Sequence, residues 1–428
     1  MRTPKGVAAL LRPAIALAVA TCPALADSPP TTGVPDAQSE ESTKVRPAPA
    51  QEPHLGTYSA SFLDPPYDEY LEFKQGISDT YNLDFSLDFS IYPQTGTPNG
   101  GKPVWLFVYS PNVTWKPFTD TAIGSGQFDF VFQQQAYASS ANTEGQAARL
   151  GLITFPSNWL SDGYSWYTLA YTHTLPGDMS WLSFTGGQYN LYTFDPSEYA
   201  GNAQTGFIGY SFAQDATQTF PNAGLGGYVQ AKIGEGGQFQ LASGFQGATD
   251  LSGRAISVQG YQNGELLYWG NAQWTPNYPG WGQGIYSLLA YHQPFVPMIS
   301  DSSTGISFSA SQEITEQWGA FVRVNNATGN DLAVRTSINF GGVRNDPFGH
   351  NPSDQAGLGI AWNRTNHNNV GLLPGGVRDG EWTSELYYRY TVFKGMSLTP
   401  DVQIFFNPAL TPQSGAAAVF TLRSTLSF

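Results

Sequence analysis

The chain ends on the stretch A-A-V-F-T-L-R-S-T-L-S-F, residues 417–428, and this stretch decides the fold. Counting back from Phe428, alternate residues are mostly apolar, and the residues between them are mostly polar. A period of two indicates a strand with one dry and one wet face, because successive side chains point to opposite faces of a sheet. Such a strand ending on an aromatic residue is typical of the closing strand of an outer-membrane barrel. An edge strand of a secreted β-sandwich is the alternative.

The same alternation recurs upstream, in residues 81–91, 306–314, 332–340, 385–392 and 401–406. A β-sandwich alternates in the same way, so periodicity alone does not decide which face is inside. Tryptophans near predicted strand ends, unequal connections and a body too long for one sandwich favour a membrane barrel. We therefore predict an all-β, transmembrane antiparallel β-barrel of about 16 strands, with short periplasmic turns and longer extracellular loops. The tryptophans assigned to the interfacial girdles are Trp159, Trp166, Trp181, Trp269, Trp274, Trp281, Trp318, Trp362 and Trp382.

Turn and loop predictions follow from Gly, Pro, Asn and Asp. The first strand is expected to begin at Tyr81 and to stop at Pro93. Tight turns are predicted at 328–331 and at Lys394-Gly395, and a long loop is predicted at 344–355. Helix is expected only as short turns inside loops, at 143–149 or 196–200.

The first residues predict export. Residues 1–26 combine basic residues, a short apolar run and Ala-Leu-Ala before the predicted cleavage, which is typical of a signal peptide. Residues 27–53 are rich in Pro, Ala, Ser, Thr and acidic residues and predict a disordered periplasmic lead-in, which leaves 54–428 as the barrel domain. The single cysteine, Cys22, precedes the cleavage, so the predicted mature chain has neither a disulfide scaffold nor a Cys-ligated metal.

Charge and motifs restrict the partners. The formal net charge is −14, so nucleic acid is a poor partner, and cations or neutral polar solutes fit better. Charged residues are 12% and aromatic residues 14% of the chain, a balance that a surface facing outer-membrane lipid explains. No two of the five histidines have metal-ligand spacing, and neither H-E-x-x-H nor G-x-S-x-G occurs. We predict no cofactor, no metal site and no enzymatic activity, although carboxylate pairs on neighbouring strands leave glycosidase chemistry open.

Several segments resemble the carbohydrate-selective porins of the OprB family. They are E-L-Y-Y-R-Y at 385–390, L-T-P-D-V-Q at 398–403, N-P at 407–408, L-R-S-T-L-S-F at 422–428, and the stretches 205–210, 221–226 and 354–359. The resemblance spans most of residues 190–428. It implies a sixteen-stranded barrel in the outer membrane of a Gram-negative bacterium, which passes monosaccharides and short oligosaccharides by diffusion. The closing strand with Phe428 resembles the signal that the barrel assembly machinery reads.

The polar strand faces supply candidate pore-lining residues. A sugar channel needs groups that hydrogen-bond to hydroxyls and rings that face the C–H surface of the sugar. Isolated arginines are the first candidates for the pore lining, because an arginine facing lipid costs about 2–4 kcal/mol at mid-bilayer. The predicted substrate-binding set is Arg335, Arg389, Arg423, Arg323, Glu313, Glu385, Asp401, Asp84 and Asp88. Interstrand salt bridges that stiffen the wall are the alternative for each residue.

Three questions stay open at this point. Asp354 and residues 345–352 are interpreted as a solvated loop, as an extracellular loop that folds toward the pore, or as a divalent-cation site. The second class of function is a secreted, soluble β-rich protein that binds or degrades polysaccharide, with its aromatic residues in one patch rather than in two belts. The third is a barrel porin for other small solutes, because one sequence does not fix the charge balance at the constriction.

Overall fold

The structure is a computed structural model that describes residues 61–250, 252–329, 332–370 and 376–428. The predicted signal peptide and lead-in, residues 1–26 and 27–53, lie outside these residues, and so do Asn330 and Asp331 of the predicted turn at 328–331. Within the described ranges, no helix combines the length and the apolar character needed to cross a membrane.

Sixteen antiparallel strands close into a ring, in which the last strand pairs with the first. The strands are β1 (Leu83–Thr97), β2 (Val104–Thr121), β3 (Gly124–Tyr137), β4 (Gly163–Thr174), β5 (Leu182–Tyr189), β6 (Gly224–Ile233), β7 (Phe239–Gly247), β8 (Leu266–Trp274), β9 (Asn277–Tyr278), β10 (Gly282–Gln293), β11 (Ser303–Thr315), β12 (Trp318–Thr328), β13 (Val334–Asn345), β14 (Gln355–Thr365), β15 (Gly380–Phe393), β16 (Met396–Phe406) and β17 (Ala416–Ser427). The short β9 pairs only with β10 beside a turn, so β8 and β10 are neighbours in the ring. The predicted barrel of about sixteen strands is confirmed.

The alternating sequence places its polar face inside. On β17, Arg423 is 1% exposed, whereas the next residue toward the N-terminus, Leu422, is 50% exposed. On β11, Ser307 is fully buried, whereas Phe308 is 41% exposed. Apolar side chains outside and polar side chains inside reverse the distribution of a soluble domain and match a barrel surrounded by lipid.

Strands β1 and β17 close the barrel. Their register pairs Ser90 with Thr425, and the two hydroxyl oxygens lie 2.9 Å apart. The predicted end of the first strand at Pro93 is wrong, because β1 continues to Thr97. The β1–β17 ladder has no pairs at residues 92 and 93, which is where proline removes an N–H donor.

The two ends of the barrel differ in their connections. The terminal end carries the start of β1 and Phe428, and tight turns such as 122–123, 316–317 and 394–395 lie there. The opposite end, here called the loop end, carries the long connections 138–162, 190–223 and 248–265. Residues 345–352 lie in the β13–β14 connection at the terminal end, with Lys394-Gly395, which contradicts the interpretation of this segment as an extracellular loop that folds toward the pore. Antiparallel strands alternate direction, so every second connection returns to the same end.

Helix is more extensive than expected. The helices are α1 (Asp64–Tyr81), α2 (Thr143–Leu150), α3 (Tyr210–Ala213), α4 (Gln259–Asn263) and α5 (His367–Val370), with single 3₁₀ turns at Gly177–Met179, Tyr192–Phe194 and Glu235–Gly237. Helix α2 confirms the predicted turn at 143–149, whereas 196–200 forms no helix. Helix α1 contradicts the expectation of short helical turns only. It includes Tyr81 and ends where Asn82 adopts a left-handed conformation, with φ of 50°.

Helix α1 lies along the rim of the terminal end. Near its start, the backbone N–H of Lys394, in the β15–β16 turn, donates to Asp64 Oδ1 at 3.0 Å. One turn later, the Tyr67 hydroxyl donates to the carbonyl oxygen of Ser427 on β17 at 2.8 Å. Near the helix end, the Ser78 hydroxyl donates to an Asp84 carboxylate oxygen on β1 at 2.6 Å. The helix therefore borders the mouth of the barrel from β15 to β1.

Candidate functional site

The connection between β5 and β6, residues 190–223, folds back into the barrel and is here called the second inner loop. Its Leu191, Phe207, Ile208, Phe212 and Phe220 are fully buried, which is unusual for a segment that joins two strands. This loop narrows the lumen. Residues 190–223 are therefore the candidate for the constriction loop that the sequence left unassigned.

The β3–β4 connection, residues 138–162, also packs inside and is here called the first inner loop. Its Trp159 is fully buried against Tyr92, with ring centroids 5.0 Å apart, and donates its indole N–H to Gln133 Oε1 at 2.9 Å. Trp269 on β8 also faces inward and packs on Phe194 of the second inner loop at 4.1 Å. The girdle prediction is therefore wrong for Trp159 and Trp269, because alternation within one strand does not identify residues that the inner loops cover.

Three of the predicted arginines hold the second inner loop by its backbone carbonyls. Arg423 Nη1 donates to Ala203 at 2.6 Å and to Gly206 at 2.8 Å. Arg389 Nη1 donates to Thr205 at 3.2 Å. Arg323 donates to the carbonyl oxygens of Phe212 at 3.0 Å and Asp195 at 3.1 Å, and its Nε lies 3.4 Å from the Asp195 carboxylate in an ion pair.

The inward carboxylates complement the arginines by accepting backbone N–H groups. Glu385 accepts from Ile208 at 2.6 Å and from Gly209 at 2.8 Å, both in the second inner loop. A Cβ on Gly209 would lie 2.5 Å from Glu385 Oε2, so this close approach requires glycine. Asp401, one strand further on, is 3% exposed and lies within electrostatic reach of Arg423. Arg423, Arg389, Arg323 and Glu385 therefore fix the loop against the wall.

Glu381 was missed by the sequence reasoning and holds the first inner loop. It is fully buried on β15 and accepts from the Ile153 backbone N–H at 3.2 Å and from the Thr154 hydroxyl at 2.9 Å. It also accepts the Ala409 N–H at 3.2 Å. Glu381 lies four residues before Glu385 on the same inward face, and this spacing was the available signal.

Neutral side chains extend this attachment around the ring. Asn339 on β13 donates to the Ser211 carbonyl at 2.5 Å, and Asn271 on β8 donates to the Phe194 carbonyl at 2.8 Å. Ser309 on β11 donates to the Pro196 carbonyl at 2.8 Å. With the charged contacts, these bonds run from β8 through β17. The hydrogen bonds of the second inner loop to the wall therefore lie on that side of the barrel, whereas its Ala203, Ile208 and Ala213 share an apolar cluster with residues of β2 and β4.

Aromatic packing fills the same interface. Phe207 stands perpendicular to Tyr387, with centroids 4.9 Å apart, and lies 5.2 Å from Phe212. On β14, a Cβ at Gly359 would lie 2.7 Å from a Phe212 ring carbon, and one at Gly357 would lie 2.3 Å from Tyr387. Because Gly357 and Gly359 have no side chains, β14 leaves space for the rings of Phe207, Phe212 and Tyr387.

One loop carboxylate has a strongly altered acidity. Asp215 is 1% exposed, and its burial, followed by the nearby charge of Asp195, raises its pKa to about 7. The Thr217 backbone N–H and hydroxyl donate to Asp215 Oδ1 at 2.7 and 2.8 Å, which opposes this increase. The attractive charge of Arg323 also opposes it. The docked loop therefore contains a group that changes charge near neutral pH.

Three predicted acids lie toward the terminal mouth, away from the loop contacts. Asp84 and Asp88 occupy the inward face of β1 near its start, where Asp84 accepts from Ser78 of helix α1. Glu313 lies near the end of β11 and accepts the backbone N–H of Gln283 at 3.3 Å. The structure does not bring these three acids together with Arg323, Arg389 and Arg423. Their role in substrate binding stays a prediction.

Arg335 does not lie on the inward face where the alternation placed it. A bulge inserts it between Val334, which faces inward and is 3% exposed, and Thr336, which faces outward beside Arg364. The interior at this level is packed with buried side chains, whereas Arg335 is exposed. The cost of an arginine facing lipid falls to about 0–1 kcal/mol near the interface, and Arg335 lies at the loop end of β13.

The connection 346–354 is organised by Asp354. The Tyr388 hydroxyl donates to Asp354 Oδ2 at 2.8 Å, and the Thr391 backbone N–H donates to Oδ1 at 2.7 Å. His350 Nδ1 lies 2.8 Å from Oδ2. Asp354 thus joins this connection to β15, and across the described residues no group of three or more His, Cys, Asp or Glu could hold a metal ion.

The inner face of β2 to β6 toward the terminal end is polar and only partly covered. Its residues are Asn112 and Thr114 on β2, Gln127 and Asp129 on β3, Thr172 on β4, and Tyr228 and Gln230 on β6, all half-buried. We call this set the open wall. Asp129 accepts from Thr114 and from Gln127, each at 2.9 Å. Alternation over residues 127–131 was the signal for Gln127 and Asp129, and the sequence reasoning missed it.

A cavity of about 440 Å³ lies at the loop end of the same strands. Gln133, Ser165 and Tyr167 of β3 and β4 line one side, and Asn222 at the end of the second inner loop lies on another. Inward residues of β3 continue from Gln133 through Val131 to Asp129. The cavity and the open wall therefore share the inner face of β3 and β4.

Comparison with known proteins agrees with this geometry. A family model described as the carbohydrate-selective porin, OprB family, matches residues 297–428. The chain is 30% identical to porin AaxA of Chlamydia felis over 396 residues, covering 89% of this chain and 87% of that one. It is 29% identical to porin AaxA of Chlamydia pneumoniae over 395 residues, covering 89% of each.

Solved structures show the same fold. The high-pH structure of Pseudomonas putida OprB has a TM-score of 0.68 at 16% identity, covering 84% of this chain and 97% of that one. Salmonella typhi OmpF in complex with daunomycin has a TM-score of 0.51 at 10% identity, covering 81% and 97%. The closed ring, its inner loops and these relatives lead to one conclusion. The chain belongs to the OprB family of carbohydrate-selective porins and is an outer-membrane porin.

Proposed function

We propose that this porin passes monosaccharides and short oligosaccharides by passive diffusion along the inner face of β3 and β4. The observation that carries the proposal is the asymmetric docking of the second inner loop. Its hydrogen bonds run to β8, β10–β15, β17 and β1, whereas the open wall on β2 to β6 keeps half-buried polar side chains. The passage therefore lies between the loop and the open wall.

The chemistry of this route suits a neutral, hydroxyl-rich solute. Gln127, Thr172 and Gln230 offer amide and hydroxyl groups that can exchange bonds with sugar hydroxyls, and Tyr228 offers part of a ring for a C–H face. Asp129 is bonded to neutral neighbours. Several weak, exchangeable contacts favour passage over retention, since a channel must release what it binds.

Of the predicted residues, Arg423, Arg323 and Glu385 then position the loop rather than contact the sugar. Arg423, Arg323 and Glu385 are at most 2% exposed, and each forms hydrogen bonds to loop backbone, through Nη1 of Arg423, Nη1 and Nη2 of Arg323 and the carboxylate of Glu385. Arg389 remains the best candidate of the predicted set for a position beside the passage, because it is only half-buried. The buried carboxylates of Glu385 and Glu381 accept hydrogen bonds from loop backbone, and this engagement supports a channel without enzymatic activity.

Cysteine accessibility tests the route, because the chain has a single cysteine, Cys22. In a Cys22→Ala background, Thr172→Cys places a thiol on the open wall, and Ser309→Cys places one beneath the docked loop. We expect a water-soluble thiol reagent to modify Thr172→Cys and lower its single-channel conductance in a planar bilayer. Glucose or a maltooligosaccharide should slow that modification.

Ser309→Cys is the matched control, because Ser309 is fully buried and donates to the Pro196 carbonyl. It should react slowly and keep its conductance. Equal modification of both positions would contradict the proposed route. A normal ionic conductance that no sugar blocks, with no sugar uptake into vesicles, would instead favour a porin for other small solutes.

Assembly and export form a second part of the proposal. We assign residues 1–26 to a signal peptide, 27–53 to a periplasmic lead-in and 54–428 to the barrel domain. The closing strand supports recognition by the barrel assembly machinery, because Phe428 is 40% exposed at the end of β17. The exposed apolar faces of the strands support contact with outer-membrane lipid.

A further inference from the structure

We propose that Arg335 and Arg364 form a binding site on the outer barrel surface for the phosphate groups of an outer-leaflet glycolipid. Arg364 lies on the outward face of β14 and is exposed. It pairs by register with Thr336, the residue after Arg335. The two arginines therefore lie side by side on neighbouring strands.

Their height on the barrel matches a membrane headgroup region. Trp362 and Trp382 are register partners on the outward faces of β14 and β15, with ring centroids 6.5 Å apart. Arg364 lies two residues closer to the loop end than Trp362, a rise of about 7 Å in a strand. Tryptophans of a barrel surface mark the membrane–water interface, so the arginines lie just outside it. Long loops face the exterior in outer-membrane barrels, which assigns this rim to the outer leaflet.

The charge environment leaves both guanidinium groups available. Neither Arg335 nor Arg364 forms an ion pair with any residue in the described ranges. Asp379 precedes Gly380, the register partner of Arg364, but its fully exposed carboxylate pairs with His367 at 2.9 Å and forms no ion pair with Arg364. The chain has a net charge of −14 and so is rich in acidic residues, yet within the described ranges none of them forms an ion pair with either arginine.

Neutral polar groups complete the patch. The Thr336 hydroxyl, beside Arg335, donates to Asn326 Oδ1 on β12 at 2.9 Å. Both side chains face outward, among apolar neighbours such as Ile338 and Val324 nearer mid-membrane. Guanidinium groups bind phosphate through paired N–H donors, and amide and hydroxyl groups can bond to sugar. A phosphorylated glycolipid supplies both chemistries at this height.

The test measures binding of fluorescent diphosphorylated lipid A to the detergent-purified full barrel. In the double variant Arg335→Ser/Arg364→Ser, we expect affinity to fall at least about tenfold, because charge-assisted contacts to phosphate are lost. The matched control is Arg344→Ser, on the same β13 strand but at the terminal end, where the guanidinium carbon lies 5.4 Å from the Trp318 ring centroid. Its affinity should equal that of the wild type.

Further outcomes separate phosphate recognition from general lipid contact. Dephosphorylated lipid A should bind the wild type and the double variant equally and weakly. Equal affinity of both proteins for diphosphorylated lipid A would overturn the proposal, and so would full binding of the dephosphorylated lipid to the wild type. Each variant is compared by its heat-modifiable migration on gels, which reports whether the barrel is folded. Both arginines are exposed, so we expect all variants to fold.

Discussion

Replacement of Arg423 by methionine is predicted to loosen residues 203–206 of the second inner loop and to increase the current noise of the open channel. Methionine fills much of the buried volume but donates no hydrogen bond. It removes the bonds to the carbonyl oxygens of Ala203 at 2.6 Å and Gly206 at 2.8 Å. The pairing of Arg423 with Thr399 on β16 uses backbone groups and stays intact.

The magnitude follows from these two bonds. A hydrogen bond to a charged group contributes about 1.5–3 kcal/mol, so two bonds contribute about 3–6 kcal/mol. A change of this size alters the ratio of docked to undocked segment by a factor of about 10² to 10⁴. Neighbouring contacts limit the opening, because Thr425 still donates to Gln204 at 2.8 Å and Tyr92 to Ala203 at 3.1 Å. We therefore expect local fluctuation rather than release of the whole loop.

The assay is single-channel recording in a planar bilayer, with wild type, Arg423→Met and Arg423→Lys. Lysine keeps the charge but has one compact donor group, so we expect intermediate noise. Arg344→Met is the control, because that side chain lies over Trp318 at the rim. Wild-type conductance and noise in a folded Arg423→Met channel would refute the loop-anchoring role of Arg423.

Three further predictions concern the loop, the helix and the closing strand. Burial and then the charge of Asp195 raise the pKa of Asp215 from 3.8 to about 7, so the docked loop holds a proton that an exposed loop loses. The free energy of docking should therefore weaken by about 1.4 kcal/mol per pH unit between about pH 4 and pH 7 and stay constant at higher pH. Current noise should rise over this pH range in the wild type but not in Asp215→Asn, and parallel noise profiles of the two proteins would contradict this. Tyr67→Ala should speed hydrogen exchange in α1, because the bond to the Ser427 carbonyl oxygen is lost. Asp68→Ala removes only an exposed ion pair with Lys394 and should change the docking free energy of α1 by less than about 1 kcal/mol. Equal protection from exchange in the wild type and Tyr67→Ala would refute the role of the Tyr67 contact. Phe428→Ser should lower outer-membrane assembly in cells while detergent refolding stays near wild type, since the backbone bonds of residue 428 to Leu87 remain; equal loss in both assays would indicate a purely structural role.

Alternation in the sequence predicted the barrel well, because it depends on side-chain direction along a strand. The inward faces of residues 385–391, 401–405 and 419–425 were all assigned correctly from a period of two. Arg335 escaped the rule because a bulge adds one residue between Val334 and Thr336, whereas Ser337 and Asn339 after it face inward as the alternation predicts. Nothing in the local sequence T-G-N-D-L-A-V-R marks that bulge.

The inner loops could not be predicted from strand patterns, because their burial depends on residues far away in the chain. Phe207 and Phe212 look like ordinary loop residues until Gly357 and Gly359 are placed opposite them. Helix α1 was missed for a related reason. Its sequence includes Pro65 and Pro66 in the first turn and has no clear apolar stripe, and contacts with the rim determine its position.

In the proposed route, Arg423, Arg323 and Glu385 position the second inner loop and so determine where a solute passes. A wall that donates through Arg423, Arg323 and Asn339 holds loop carbonyls on one side of the lumen. Glu385 holds loop N–H groups on that side as well. A polar group that is bonded to the loop is unavailable to a sugar, so the proposed route assigns selectivity to the half-buried polar side chains of the open wall. Substitutions on the open wall should therefore change which solutes pass, whereas substitutions at the loop anchors should change how steadily the channel stays open.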